Sequence, residues 1–239
     1  MKTAIITGIT GQDGPYLAKF LLERNYEVIG SLRSYRNFNE DPFTYLGLKN
    51  KLIFEKIDLL DLSNVIDAIK KFKPQEIYNL AAQSSVSLSF KQPIGTFFFN
   101  TMSVNHLLEG IRLTGIPVKY YQASSSEMFG KVANLPITLE TPMNPLSPYA
   151  VSKAAAHSMC QTYRSAYQIF ACNGILFNHE SYLRSENFFV KKIITEAIKI
   201  KKGLQTVLTV GNLDIKRDFG YAPRYVEAMW KMLQAKHPD

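Results

Sequence analysis

The chain has 239 residues, 46% hydrophobic and 20% charged, enough to bury a large core in one α/β domain with a partial second one. Its formal charge of +8 suits anionic small ligands, but Lys70, Lys71 and Lys73, and Lys199, Lys201 and Lys202, read as solvated helix faces with no base-stacking motif beside them, which argues against nucleic acid. No apolar run reaches membrane-spanning length, and the first one has the form of a strand rather than a secretory signal, so no membrane partner and a cytoplasmic location are expected. The two cysteines, Cys160 and Cys172, lie among apolar neighbours and read as core residues, while four scattered histidines offer no metal-ligand spacing.

The first element is a β-branched run, 2–7, that stops at Gly8-Ile9-Thr10-Gly11-Gln12-Asp13-Gly14. Tyr16, Leu17, Phe20, Leu21 and Leu22 then recur at helical spacing, so a glycine loop joins a strand to a helix. The amides and dipole of such a helix start suit a pyrophosphate. Gly-x-x-Gly-x-x-Gly is a weak signal in isolation, and its place after the opening strand strengthens it. A second strand, 26–32, ends at Arg33-Ser34-Tyr35-Arg36, where an NAD-selecting fold would carry an acidic residue. Arg33 suits a ribose 2'-phosphate, which points to NADP; Arg36 fits a phosphate contact and a water-facing loop equally.

Further strands are predicted at 52–56, 76–80, 119–123, 171–177 and 206–210, with helical segments between most of them. That alternation implies an α/β fold, a doubly wound parallel sheet of Rossmann type. Asp58-Leu59, after the third strand, is placed to flank an adenine, and Leu80-Ala81-Ala82-Gln83-Ser84, after the fourth, is small enough for close cofactor approach; each also fits an ordinary turn. Residues 1–170 are assigned to the NADP-binding domain, and 171–239 to its last elements mixed with a small, incomplete substrate-binding region.

Two later segments carry chemistry. Ser147 followed by Pro148 reads as an N-cap with proline in the first helical position, and Tyr149 and Lys153 then share one face of the helix. The lysine charge, the helix dipole and an oxidised nicotinamide are expected to lower the Tyr149 phenol's pKa and make it a base. Ser124-Ser125-Ser126-Glu127 follows an apolar strand directly, and the two segments together suggest a redox-assisted dehydratase.

With Thr7–Gly14, Asn79–Ser84, Tyr149-x-x-x-Lys153, Asn173–Glu180 and Arg217-Asp218-Phe219-Gly220 in view, the sequence resembles the GDP-mannose 4,6-dehydratase family of extended short-chain dehydrogenases/reductases, over nearly the whole chain. The resemblance implies GDP-mannose or a related nucleotide sugar as substrate, NADP as cofactor and a homo-oligomer, a dimer or tetramer. The helical stretches 100–112 and 150–167 fit a helix-bundle dimer, and core burial explains their apolar stripes as well. It makes Ser125, Glu127, Tyr149 and Lys153 catalytic. Tyr149 would take the O4 proton, Lys153 would bind the nicotinamide ribose, and Glu127 would move protons between C5 and C6, a double task that requires burial. It assigns cofactor contacts to Gly8, Thr10, Gly11, Gln12, Asp13, Gly14, Arg33, Asp58, Leu59, Leu80, Ala81, Ala82, Ser84, Tyr149, Lys153, His179 and Arg184. Substrate contacts fall to Ser84, Ser125, Glu127, Asn178, Lys192 and Arg217. Read without the resemblance, His179 also fits a satisfied strand-end histidine and Lys192 a surface lysine.

The sequence departs from the family pattern at Ser125, where the family carries threonine, at Gly95, where it carries tyrosine, at Leu183-Arg184, where it carries paired arginines, and across 219–224. Family members also continue for on the order of a hundred residues further, so a fragment, a truncated product or an inactive form is expected. The rival readings are a nucleotide-sugar epimerase or 4-keto reductase, which needs no glutamate at 127, and a non-catalytic NADP-binding protein.

Overall fold

The computed structural model describes residues 1–36 and 38–239. Its main sheet has six strands: β1 (Lys2–Thr7), β2 (Tyr26–Leu32), β3 (Ile53–Lys56), β4 (Glu76–Asn79), β5 (Lys119–Ser125) and β6 (Ala171–Leu176), in the order β3-β2-β1-β4-β5-β6. Every pairing is parallel. This is the doubly wound arrangement expected from the alternating pattern, with chain direction across the sheet reversing between β1 and β4.

Successive residues of a strand face opposite layers, and both layers here are apolar. Ile6, Tyr78 and Tyr121 pack with α1 (Asp13–Leu22) and α8 (Ala222–Gln234) through Leu17, Leu21, Val226, Met229 and Leu233. Ile5, Ile77 and Tyr120 pack with α3 (Leu62–Phe72), α5 (Pro93–Thr114) and α6 (Pro148–Tyr167) through Ile69, Leu107, Leu108, Ala156 and Cys160. Both cysteines are free and buried, as core residues should be. Helix ends follow local chemistry. The Asp61 side chain accepts from the amides of Ser63 and Asn64 to open α3, and Gly115, at φ 63°, closes α5 in the left-handed conformation that glycine adopts without a Cβ penalty. Short helices α2 (Asp41–Tyr45) and α4 (Val86–Lys91) decorate the loops.

Residues 206–210, expected to form a strand, have no regular structure. A strand needs a hydrogen-bonding neighbour, and Val207 instead stands 66% exposed away from the sheet, which ends at β6. The pairing in this region is a short parallel ribbon that the sequence pattern did not signal: β7 (Asn178–Glu180) against β8 (Phe219–Tyr221), with His179 opposite Gly220. Helix α7 (Phe189–Lys201) lies beyond it with no fully buried residue. Among the described residues no helix is long and apolar enough to cross a membrane.

Candidate active site

The switch point between β1 and β4 opens a crevice at the carboxyl ends of the strands, where doubly wound sheets bind ligands. Its floor is a buried polar rung. Thr7 Oγ1 donates to Asn79 Oδ1 at 2.5 Å, and Asn79 Nδ2 donates to Gln122 Oε1 at 2.9 Å, tying β1, β4 and β5 together immediately below the loops. The Ala81 amide donates to Thr7 Oγ1 at 3.3 Å, so the segment after β4 is fixed to the strand that carries the glycine loop.

The loop itself is glycine by necessity at two points. Gly8 has φ +67°, and a Cβ there would stand 2.7 Å from the Ala81 nitrogen; a Cβ on Gly14 would stand 2.4 Å from the Ile9 carbonyl oxygen. The first glycine lets the two loops meet, and the second lets α1 start tight against the turn. Asp13 is the first residue of that helix.

Two cavities meet over this loop. One, about 600 Å³, is lined by Ser31, Arg33, Asp58, Leu59 and Gln83. The other, about 530 Å³, is lined by Gln12, Asp13, Ser84, Ser125, Glu127, Tyr149, Lys153, Asn178, His179 and Arg184. They share Gly8, Thr10, Ala81 and Ala82, so together they form one elongated groove across the carboxyl ends of the strands. A groove that long, bent over a glycine loop and a helix start, has the form of a dinucleotide site. It gathers nearly all the residues assigned from the sequence; Gly11 and Gly14 line it as well, while Leu80 completes its wall. Lys192 and Arg217 lie outside both cavities: the Lys192 ammonium donates to the Thr209 carbonyl at 2.8 Å, and Arg217 stands on an exposed segment.

The chemical end is built by β5 and α6. Ser147 caps α6, its hydroxyl accepting from the Ala150 amide at 3.0 Å, and Pro148 opens the helix as its spacing predicted. Tyr149 and Lys153 project from the first two turns and are both buried. In the protein alone, burial pushes the Tyr149 phenol up and the Glu127 carboxylate adds to that, while the Ser125 hydroxyl and Arg184 act in the opposite sense; the lowering expected from the sequence includes an oxidised nicotinamide, which is not among these groups. The Lys153 ammonium donates to the Ala123 carbonyl at 2.8 Å, and burial pulls its own pKa down to about 8. Ser125 ends β5 with its hydroxyl accepting from the Glu127 amide at 3.2 Å, which turns the chain into a 3-10 turn, Ser126–Phe129, and presents the half-buried Glu127 carboxylate to the cavity.

Several functional side chains gave no sequence signal. Asn100, buried on α5, accepts from the Gln83 amide at 2.8 Å and donates to the Gln83 carbonyl and to Ser152 Oγ, clamping the 80–84 segment to both helices. Asn187, Phe188 and Phe189 wall the second cavity from a segment without periodicity, where the Arg184 guanidinium stacks 3.6 Å from the Phe188 ring centroid. Arg184 also lies 3.4 Å from the Glu180 carboxylate, a charge pair without hydrogen-bond geometry, and burial lowers its pKa against that attraction. The open space beside Gly95, where an added Cβ would meet nothing within 4 Å, leaves the first cavity wide.

Residues 5–239 match the family model described as GDP-mannose 4,6 dehydratase. The chain is 50% identical over its whole length to "GDP-mannose 4,6 dehydratase 2" of Arabidopsis thaliana, covering 66% of that protein, and 44% identical to "GDP-mannose 4,6 dehydratase" of Homo sapiens, again covering 66%. It thus spans about two thirds of the length of these curated relatives. Among solved structures, a UDP-glucose 4-epimerase from Thermus thermophilus in complex with NAD aligns with TM-score 0.85 and 26% identity, over 99% of this chain and 76% of that one. A dTDP-glucose 4,6-dehydratase from Streptomyces venezuelae aligns with TM-score 0.86 at 19% identity, over 99% and 73%, a likeness of fold alone. On the family match and the identity along its full length, the chain belongs to the GDP-mannose 4,6-dehydratase family.

Proposed function

We propose that this chain binds NADP along the groove and catalyses dehydration of GDP-mannose to GDP-4-keto-6-deoxymannose. The single observation that carries the reading is that Ser125, Glu127, Tyr149 and Lys153 line one cavity continuous with the glycine loop. Bound NADP would supply transient oxidation and later reduction of the sugar, so that no net oxidation results.

The chain's own groups supply the rest. The Ser125 hydroxyl and Tyr149 hold the sugar's O4, and Tyr149 accepts its proton as the phenolate, the form that a bound oxidised nicotinamide would favour. A ketone at C4 makes the C5 proton acidic, and Glu127 takes that proton and delivers one to the departing C6 hydroxyl, the task of a general acid and base in a single carboxylate. An epimerase has no use for that carboxylate, which weighs against this rival. Lys153 is positioned for the nicotinamide ribose, and Arg33, beside Ser31 in the first cavity, for the 2'-phosphate that selects NADP. Asn178 faces the cavity from the substrate side. In this reading residues 1–170 hold the dinucleotide, and 171–239 finish that fold and begin the sugar-nucleotide side. The two free, buried cysteines suit a cytoplasmic protein.

The reading includes a homo-oligomer. Phe97 and Phe98 of α5, Val151 of α6, and Ile94 and Leu146 are exposed around one open apolar groove, a surface suited to the same helices of a second copy. Calorimetric titration with NADP⁺ and then GDP-mannose tests the ligand assignment. Saturable binding of both is expected, and binding of neither would overturn it.

A further inference from the structure

The glycine loop is fastened to the β7 segment by a network that the reaction does not use. His179 Nε2 lies 2.6 Å from Asp13 Oδ2, and His179 Nδ1 lies 2.9 Å from the Phe177 carbonyl oxygen. Gln12 Nε2 donates to the His179 carbonyl at 3.0 Å, and the Ser181 hydroxyl donates to Gln12 Oε1 at 2.9 Å. The ring is buried and stacked on Tyr225 of α8, centroids 4.5 Å apart, so it has no freedom to turn away.

Both ring nitrogens therefore face acceptors. A neutral imidazole carries one N–H and would point a lone pair at one of these oxygens, whereas an imidazolium donates to both. Asp13 opens α1 beside the glycine loop, and its carboxylate repels any anion bound there unless a cation cancels it. Resting on the dinucleotide reading above, the geometry points to His179 as a positioning residue whose proton neutralises Asp13 and so completes the cradle for a pyrophosphate.

The charged and titratable groups around the ring are Asp13 on α1, Glu180 beside it in β7, Arg184 after it and Tyr225 on α8. Burial disfavours the charged ring and Arg184 does the same, but Asp13 and the Phe177 carbonyl outweigh them, and the pKa is raised. A raised value means that the bond's contribution is complete below the unfolded histidine's pKa of about 6.5 and is lost as pH rises through the folded-state pKa. By linkage, an anion that prefers the protonated ring also holds the proton more tightly. NADP⁺ affinity should therefore fall by up to about tenfold per pH unit above that pKa.

Two measurements on the whole chain test this. Long-range ¹H–¹⁵N spectra of the ligand-free protein should show both His179 ring nitrogens protonated at neutral pH; a single N–H would overturn the proposal whether or not NADP⁺ binds. NADP⁺ titrations across pH should then show a transition that His179→Gln removes while weakening binding about tenfold at the acid end. Adding Asp13→Asn to that variant should restore affinity by removing the uncompensated carboxylate. Lys153 also titrates in this range, and its slope should persist in both variants. Unrestored binding in the double variant would refute charge compensation. Absence of NADP⁺ binding to the wild-type chain, with the imidazolium present, would refute the positioning role by way of the ligand reading itself.

Discussion

Lys153 Nζ lies 5.9 Å from the centroid of the Tyr149 ring, one helical turn away, and donates to the Ala123 carbonyl at the end of β5. The protein thus buries an ammonium beside a phenol that burial keeps protonated, a costly arrangement without a ligand. The ammonium's pKa falls from 10.5 to about 8, so between those values the unfolded chain binds more protons than the folded one. Stability should rise with pH through that window. Lys153→Met should lose this rise and, at neutral pH, stabilise the ligand-free chain by roughly 1–3 kcal/mol, while weakening NADP⁺ binding. Urea denaturation of both chains at neutral and alkaline pH checks this, and matching pH profiles would contradict it.

Glu127→Gln keeps the size and the hydrogen-bonding backbone of the 3-10 turn but removes the proton carrier. Water loss from GDP-mannose should drop by about 10²–10⁴-fold, with NADP⁺ affinity unchanged. Retained dehydration would remove Glu127 from the acid/base role.

Arg33 borders the cavity that holds Asp58 and Leu59. Replacing it with glutamate should cost NADP⁺ roughly 1.5–3 kcal/mol of charge-assisted hydrogen bonding and turn the preference toward NAD⁺. Parallel titrations with the two dinucleotides read that ratio directly; an unchanged ratio would rule out the 2'-phosphate contact.

At the opposite end of the sheet, the buried Glu76 carboxylate accepts from the Tyr26 hydroxyl at 3.0 Å, the Tyr78 hydroxyl at 2.7 Å and Gln234 Nε2 at 3.0 Å, pinning β2, β4 and α8. Glu76→Ala leaves those donors without their acceptor and should destabilise the fold by roughly 2–3 kcal/mol. Because the pin lies at the strands' amino ends, NADP⁺ affinity of the folded variant should not change. Denaturation monitored by Trp230, which donates to Tyr26 at 3.1 Å, measures the loss.

The first half of the fold was legible because its signals are local. Apolar runs ending in glycine or small residues became β1, β4 and their loops, and Ser147-Pro148 became the start of α6. The strand expected at 206–210 failed because its β-branched residues have no neighbouring strand, a fact of tertiary placement that periodicity does not carry. The β7–β8 ribbon and the Asn100 clamp were missed for the same reason: each depends on partners distant in the chain. For Tyr149 the spacing reveals Lys153, while the depth of burial and the Ala123 carbonyl that takes the ammonium are visible only in three dimensions.

The most direct measurement is to incubate the 239-residue chain with NADP⁺ and GDP-mannose and to follow the sugar nucleotide by mass spectrometry. The account predicts a product lighter by one water, with no accumulation of NADPH. GDP-mannose recovered unchanged from a folded, NADP⁺-bound chain would contradict it.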